Sequence, residues 1–324
     1  MSTLTNKIDF EVIISATDAN PNGDPLSGNR PRINSKGLGE ISDVCIKRKI
    51  RNRLQDMGER IFVQSDDKCD DGCDSLRARA ESCDELKKAS SGKNTNKDEY
   101  ARIACEQWID VRSFGQVFAF KGDAVSVGVR GPVSISIAKS VSPIEIISMQ
   151  ITKSVNGESG KNGKASDTMG TKNRVGFGLY VFKGSINCQL AEKTGFSDED
   201  AEKIKKALVT LFENDCSSAR PEGSMQVCRV YWWKHDGKTP KVSSAKIHNA
   251  VQIKEKAELN GNEPNSVADY DIILNNPEGA VQILVVYKQL LDKINIYQAL
   301  YILNRHLCLC SLYLTSCKVR FQPL

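Results

Sequence analysis

The chain has 324 residues, 26% of them charged and 40% hydrophobic, with 45 Lys plus Arg against 40 Asp plus Glu and a formal net charge of +5. That balance excludes a disordered chain, a collagen-like repeat and a multi-span membrane protein, and the length suits two domains or one large domain with insertions. A total of +5 does not by itself argue for a nucleic-acid partner; the placement of the charges must decide.

Residues 8–16 are β-branched and apolar between turn residues and predict a first strand. The loop DANPNGDPLSGNRPRINSKGLG follows (residues 18–39), with three prolines, four glycines and four asparagines. Its Asn-Pro, Asn-Gly and Asp-Pro steps favour tight turns, so the loop folds back on itself; a loop this long in a compact domain is usually functional or disordered. Residues 41–55 predict a helix capped by Ser42 or Asp43, with Ile46, Ile50, Leu54 and Met57 as its apolar stripe. Lys47, Arg48 and Arg51 sit on the flank, facing away from that stripe. Arg53 falls close to the stripe and snorkels from a packed edge.

Residues 64–100 are polar and read as an inserted helical segment, with one exposed helix over 74–89 and a second over 103–111. Residues 128–154 alternate apolar and polar and predict two strands joined near Ser142 and Pro143. Residues 156–171 are rich in Gly, Lys and Ser and read as a mobile loop or hairpin tip, and residues 175–187 return to strand. A capping box from Ser197 to Asp200 opens a helix to residue 212 that buries Ala201, Ile204, Leu208 and Leu211. Residues 226–234 form an aromatic strand, and residues 247–253 and 280–287 are further strand candidates.

Strand, helix, strands, helix, strand is the order of an α+β fold: a ferredoxin-like or RNA-recognition-type antiparallel sheet with helices on one face and insertions projecting from it. No internal repeat or interdomain linker stands out, so one elaborated domain is expected. The eleven cysteines are odd in number and include no Cys-x-x-Cys pair, which leaves a zinc ribbon or redox motif without support. Residues 1–9 lack an apolar run, so reduced thiols in a cytoplasm are expected. The longest apolar stretch, residues 299–314, is interrupted by Asn304, Arg305 and His306 and is short of a membrane span, so no membrane partner is expected.

From Arg30 to Arg53 there are eight basic residues and only two acids, Glu40 and Asp43. Strand, loop and helix would bring Arg30, Arg32, Lys47, Arg48 and Arg51 to one sheet edge, where cations and free N–H groups at a helix start suit phosphates. A solvated helix face is the ordinary fate of such a run, but the imbalance within a nearly neutral chain favours nucleic acid. DDKCDDGCD (residues 66–74) invites a metal. Registered on a calcium loop, however, it places Cys69 where a carboxylate belongs and Ala78 where the closing Glu belongs. A solvated acidic loop is the better reading, and neither a metal nor a cofactor is expected. GESGKNGK (residues 157–164) lacks the first glycine of a phosphate loop. VGFGLYVF (residues 175–182) echoes the aromatic strand of RNA-recognition motifs but lacks the leading basic residue, and a packed strand is the plainer reading. Tyr231, Trp232 and Trp233 are likewise read as buried strand aromatics. His235, His248 and His306 have no metal spacing between them, and no catalytic constellation is legible.

The sequence resembles the backbone subunits of type I-C CRISPR Cascade, members of the Cas-seven family of repeat-associated RNA-binding proteins. The resemblance lies in DANPNGDPLSGNRPRI with ISDVCIKRKIRN (within residues 18–52), DVRSFGQVFAF (110–120), RGPVSISIAKSVSPI (130–144), TMGTKNRVGFGLYVFKGSI (168–186) and LAEKTGFSDEDAEKI (190–204). It covers most of residues 7–287. It implies one RNA-recognition-like palm over residues 1–290, with helical fingers at about 57–110 and a thumb hairpin at about 140–175. It also implies a non-catalytic subunit that polymerises along the spacer of a CRISPR guide RNA, kinks it at intervals and leaves the other bases to pair with target DNA. The subunit reads backbone shape while base pairing reads sequence.

Its partners would be the guide RNA, the paired target strand, neighbouring copies, and the large and processing subunits of Cascade. By this resemblance Lys47, Arg48 and Arg51 grip phosphates, and Asn20, Asn22, Arg30 and Arg32 line the same groove. Arg112, Ser113 and Phe114 match an Arg-x-Phe-Gly element near the guide, and Met169 and Lys172 fall in the thumb. Type III relatives cut target RNA through acids in the equivalent loop, whereas type I backbones do not. The runner-up is an RNA-processing endoribonuclease of the same superfamily. Residues 291–324, rich in Leu, Tyr and Cys, do not match and read as an extension or as sequence past the family's usual end.

Overall fold

The computed structural model describes residues 2–90, 96–120, 126–152, 169–279 and 283–287. The chain divides into two units, Met1–Val286 and Tyr287–Leu324. The unmatched C-terminal stretch and most of the Gly, Lys and Ser-rich segment (156–171) lie outside the described residues.

In chain order, β1 (Ile8–Ala19) leads into three short strands, β2 (Gly23–Asp24), β3 (Arg30–Pro31) and β4 (Leu38–Ile41), and then α1 (Asp43–Asp56). Helices α2 (Leu76–Ser82), α3 (Asp84–Ser90), α4 (Lys97–Gln107) and α5 (Ile109–Phe114) follow, with a small strand pair, β5 (Gly115–Phe118) and β6 (Val127–Arg130). The chain returns through β7 (Val133–Ile135), β8 (Ala138–Pro143), β9 (Ile146–Thr152) and the long β10 (Met169–Ile186). Helices α6 (Cys188–Thr194) and α7 (Asp198–Val209), strand β11 (Met225–Lys234), helix α8 (Ser244–Ile247), and strands β12 (Val251–Glu255), β13 (Tyr270–Leu274) and β14 (Ile283–Tyr287) complete it.

The main sheet runs β14-β11-β1-β10-β8-β4, with β7 and β9 also paired to β10. Counting β1, β7 with β8, β10 and β11 as four central strands gives the spatial order four-one-three-two, the ferredoxin-like arrangement expected from the element order. The central pairs are antiparallel, with Phe10 opposite both Gly184 and Trp232. Phe10 stacks on Trp232 at 5.5 Å. A Cβ on Gly184 would lie 2.2 Å from the Phe10 ring, so glycine is required there.

Alternation along β1 sends Ile8, Phe10, Val12 and Ile14 to one face, where they meet Ile46, Ile50 and Leu54 of α1 and Ala201, Ile204 and Leu208 of α7. Ser42 caps α1 by accepting from Cys45 N, and Ser197 with Asp200 forms the capping box of α7. The opposite face of the sheet is covered as well. Ile13, Leu179, Tyr231 and Trp233 pack beneath Val242, Ile247, Ala250, Val251 and Tyr270. The aromatic strands of the sequence are therefore core, and no open stacking platform exists on the main sheet among the described residues.

The structure corrects several sequence expectations. The helix expected over 74–89 is two helices, broken where Cys83 turns extended (φ −88°, ψ 108°). That expected over 103–111 breaks at Trp108 (φ −129°, ψ 124°), whose ring turns inward to lie 4.8 Å from Phe62. In both places packing overrides helix propensity. The insertion gathers its own core of Phe62, Leu86, Tyr100, Ile103, Trp108 and Phe118. Residues 128–152 form four strands rather than two, and β10 begins at Met169. No helix among the described residues is long and apolar enough to cross a membrane.

Candidate nucleic-acid interface

The loop after β1 is a folded device. Strands β2 and β3 pair Gly23 with Pro31 and Asp24 with Arg30. Asp24 caps the intervening turn, accepting from Leu26 N at 3.2 Å and Ser27 Oγ at 3.0 Å. Gly28 and Asn29 both take positive φ, the conformation for which glycine and asparagine are favoured. Asn20 Nδ2 donates to Asn29 O at 2.6 Å, and Asn22 Oδ1 accepts from Ser42 N at 2.9 Å, which ties the loop to the start of α1. Asn20 and Asn22, expected to line a groove, thus brace the loop from within, and Asn20 is buried.

The hairpin of β9 and β10 projects beyond the main sheet. Its register runs from Val175 opposite Ile146 to Met169 opposite Thr152. Directly opposed residues share a face, so Met149, Ile151, Lys172 and Arg174 lie on one side of the ribbon. Met149, Ile151 and Met169 are exposed apolar side chains, whereas most large apolar side chains among the described residues are at least partly buried. The loop docks on the root of this ribbon. Asn173 Nδ2 donates to Gly28 O at 3.3 Å, Ser148 Oγ donates to Asn173 Oδ1 at 2.8 Å, and Arg30 reaches Ser148 Oγ at 3.3 Å. Arg174 lies 3.2 Å from Asp18.

Sequence reasoning missed Ser148, Asn173 and Arg174. Only strand register could have revealed them, by aligning residues 146–152 against 169–175. The bonded loop and ribbon, the loop–ribbon edge, carry Arg30 and Arg32 on the loop and Lys172 on the ribbon face opposite the one that Asn173 and Ser148 turn to the loop. Arg30 and Lys172 are exposed, and Arg32 stands 3.4 Å from Asp24.

The other nominated cations have a different fate. Arg51 Nε donates to Asp110 at 2.9 Å, and the Asp110 carboxylate also accepts from Phe62 N and Val63 N. The Arg51 guanidinium sits 5.0 Å from the centre of the Phe114 ring. Arg112 makes a forked pair with Asp200 at 3.0 and 2.7 Å and donates to Cys105 O, which fastens α5 to the capping box of α7. Ser113 is fully buried. Arg48 donates to Val63 O at 2.6 Å; burial, then the neighbouring Arg51 charge, lowers its pKa. Lys47 alone of the helix trio stays at the rim, paired with Asp43 one turn earlier at 3.1 Å. The expectation that Arg51 faces outward is corrected: a carboxylate from α5 draws it inward. Arg53 packs as expected, bonded to Thr210 and Glu213.

The acidic loop is ordered about the buried Arg79, whose guanidinium binds Asp71 at 2.5 and 2.9 Å and also Phe62 O, Gln64 and Cys73 O. That bond to Arg79 holds the Asp71 carboxyl well below the usual range despite some burial. The eight cysteines among the described residues are free thiols. No group of three or more His, Cys, Asp or Glu among the described residues is placed to hold a metal ion.

Two histidines do converge, although no sequence spacing announced it. His235 Nε2 lies 2.8 Å and His248 Nε2 3.8 Å from the carboxylate of Asp9, which is fully buried. Burial raises the Asp9 pKa, but the His235 bond and the Lys7 and His248 charges outweigh it and leave the group below its ordinary value. Glu11, next on the same face, is pushed up to about 7 by burial, with Lys183 at 3.7 Å opposing the shift. Lys7 binds Ser244, and Lys183 binds the His248 carbonyl. These charges fasten α8 to the sheet around the buried Asp9, Glu11 and His235.

A protein-family model, CRISPR-associated protein Cas7, matches residues 6–275. A curated protein named CRISPR-associated protein Cas7 from Haloferax volcanii is 26% identical over 251 residues, covering 71% of this chain and 70% of that protein. Among solved structures, a chain of a CRISPR RNA-guided surveillance complex, pre-nicking, is similar with a TM-score of 0.45 at 16% identity, over 74% of this chain and 81% of that one. A second, from a CRISPR RNA-guided surveillance complex, gives 0.40 at 16% identity, over 73% and 72%.

Proposed function

Because this chain belongs to the family of CRISPR-associated protein Cas7, we propose that it is a non-catalytic backbone subunit that polymerises along a CRISPR guide RNA in a type I-C surveillance complex. In this reading the four-stranded sheet is the palm, α2 to α5 with their own core are the fingers, and the β9–β10 ribbon is the thumb. Arg30, Arg32 and Lys172 contact guide phosphates. Met149, Ile151 and Met169 press against bases, which leaves sequence recognition to guide–target pairing. Neighbouring copies and the large and processing subunits would be its protein partners.

The observation that carries the reading is the loop–ribbon edge: exposed cations and exposed apolar side chains on two elements bonded into one unit. Cations for the backbone and apolar wedges for the bases are what a sequence-tolerant single-strand binder needs. The endoribonuclease alternative gains little from the Asp9 cluster, since Asp9 and His235 are buried and their bonds are spent within the fold. Copurification with RNA followed by electron microscopy tests the main reading, with filaments of regular pitch as the expected result. Specific cleavage of precursor CRISPR RNA in the presence of chelator would overturn the non-catalytic assignment.

A further inference from the structure

We propose that Asn173 is a positioning residue that fixes the angle of the β9–β10 ribbon against the loop, and so sets the interval at which the ribbon meets bound RNA; the RNA part rests on the function proposed above. N-terminal to Val175, β10 has left β1 and, among the described residues, is paired only with β9. A two-stranded ribbon outside a sheet is marginal alone and free to twist. It therefore needs an external tie, and the tie is chemically specific.

Asn173 is 8% exposed and uses both ends of its amide, donating to Gly28 O and accepting from Ser148 Oγ. Gly28 O and Asn29 O are consecutive carbonyls of one turn. The first is held by the ribbon through Asn173, and the second by the end of the palm strand through Asn20. The turn is thus pinned from both sides, and ribbon, turn and palm move as one body. A carboxylate at this position would keep the Ser148 bond but set an acceptor against the Gly28 carbonyl.

Two variants test this, Asn173→Asp, which breaks only the Gly28 bond, and Asn173→Ala, which breaks both. Without RNA, hydrogen exchange at residues 23–31 and 146–152 should accelerate together, about tenfold, while β1 is unchanged. Acceleration of the ribbon alone, or of neither segment, overturns the clamp. With a single-stranded RNA probe, the wild-type chain should give a repeating pattern of base reactivity. Asn173→Asp should lose at least about half of that contrast with affinity kept within about threefold. An unchanged pattern overturns the inference. A wild-type chain that does not bind RNA overturns the proposed function and the RNA part of this inference, while the exchange result still decides the clamp itself.

Discussion

The basic residues of α1 and those of the loop–ribbon edge look alike in sequence and differ in what the fold does with them. Lys49, Arg51 and Arg53 are held by Asp215, Asp110 and Glu213, acids 166, 59 and 160 residues away. Among the described residues, Arg30 and Lys172 meet no carboxylate within salt-bridge distance, and both are exposed. A local surplus of cations on a helix is therefore not yet a binding surface, because the acids that neutralise it arrive through tertiary structure. Buried charges should report on folding, and rim charges on RNA.

The sharpest way to break this comparison is at Asp110. Asp110→Ala removes the partner of Arg51 together with the acceptor of two backbone N–H groups in a fully buried place. Removing one member of a buried pair typically costs about 3–5 kcal/mol. Urea unfolding of the variant should show a loss of that order, and a change below about 1 kcal/mol would mean that the pair does not hold the insertion to α1. By the same argument Arg51→Glu should unfold the chain before it reports on RNA.

Glu11 is a buried carboxylate whose one ion-pair partner among the described residues, Lys183, stands 3.7 Å away. Its folded pKa of about 7 lies above the ordinary 4.5 because of burial. The folded state then binds more protons than the unfolded state between those values, so stability falls as pH rises from about 4.5 to about 7 and levels off above. The loss is on the order of 3 kcal/mol, with the opposing pull of Lys183 already contained in the shift. Glu11→Gln should flatten this stretch of the stability profile and make the variant more stable than the wild type at alkaline pH. A wild-type profile already flat across the same range would place the carboxylate in a far better solvated site.

Hydrophobic periodicity made the main sheet and its helices legible. The stripe of Ile46, Ile50 and Leu54, the capping box at Ser197 and the aromatic strand at Met225–Lys234 each needed only near neighbours in sequence. The breaks at Cys83 and Trp108 were not legible, since they depend on what the side chains pack against. At the interface, Arg30 and Lys172 could be named from charge and family resemblance. Asn173 and Ser148 could not, because a single amide matters only once strand register brings it to the Gly28 carbonyl. Arg51 was read as facing away from the apolar stripe, and Arg112 was placed near the guide by resemblance alone, because their partners Asp110 and Asp200 lie 59 and 88 residues away.

At the rim, Arg30→Ala with Lys172→Ala should lower the salt dependence of RNA binding by about two phosphate contacts, and the affinity with it. Since both side chains are exposed, stability should change by no more than about 0.5 kcal/mol. A loss of stability comparable to that of Asp110→Ala would erase the distinction between the two sets. So would an unchanged salt slope.

Lys47 lies between the two classes and gives the smallest effect. It is half-buried, and its partner is the local acid Asp43 at i−4, which also sits favourably in the first turn of α1. Lys47→Ala should therefore cost no more than about 0.5 kcal/mol, the range of helix-surface pairs. Its information is in the salt titration. If α1 takes part in RNA binding, the slope should fall by about one with the thermal midpoint unmoved. A slope equal to that of the wild type would confine the interface to the loop and the ribbon, and would leave the basic run of α1 as a scaffold that holds the insertion, α7 and the sheet together.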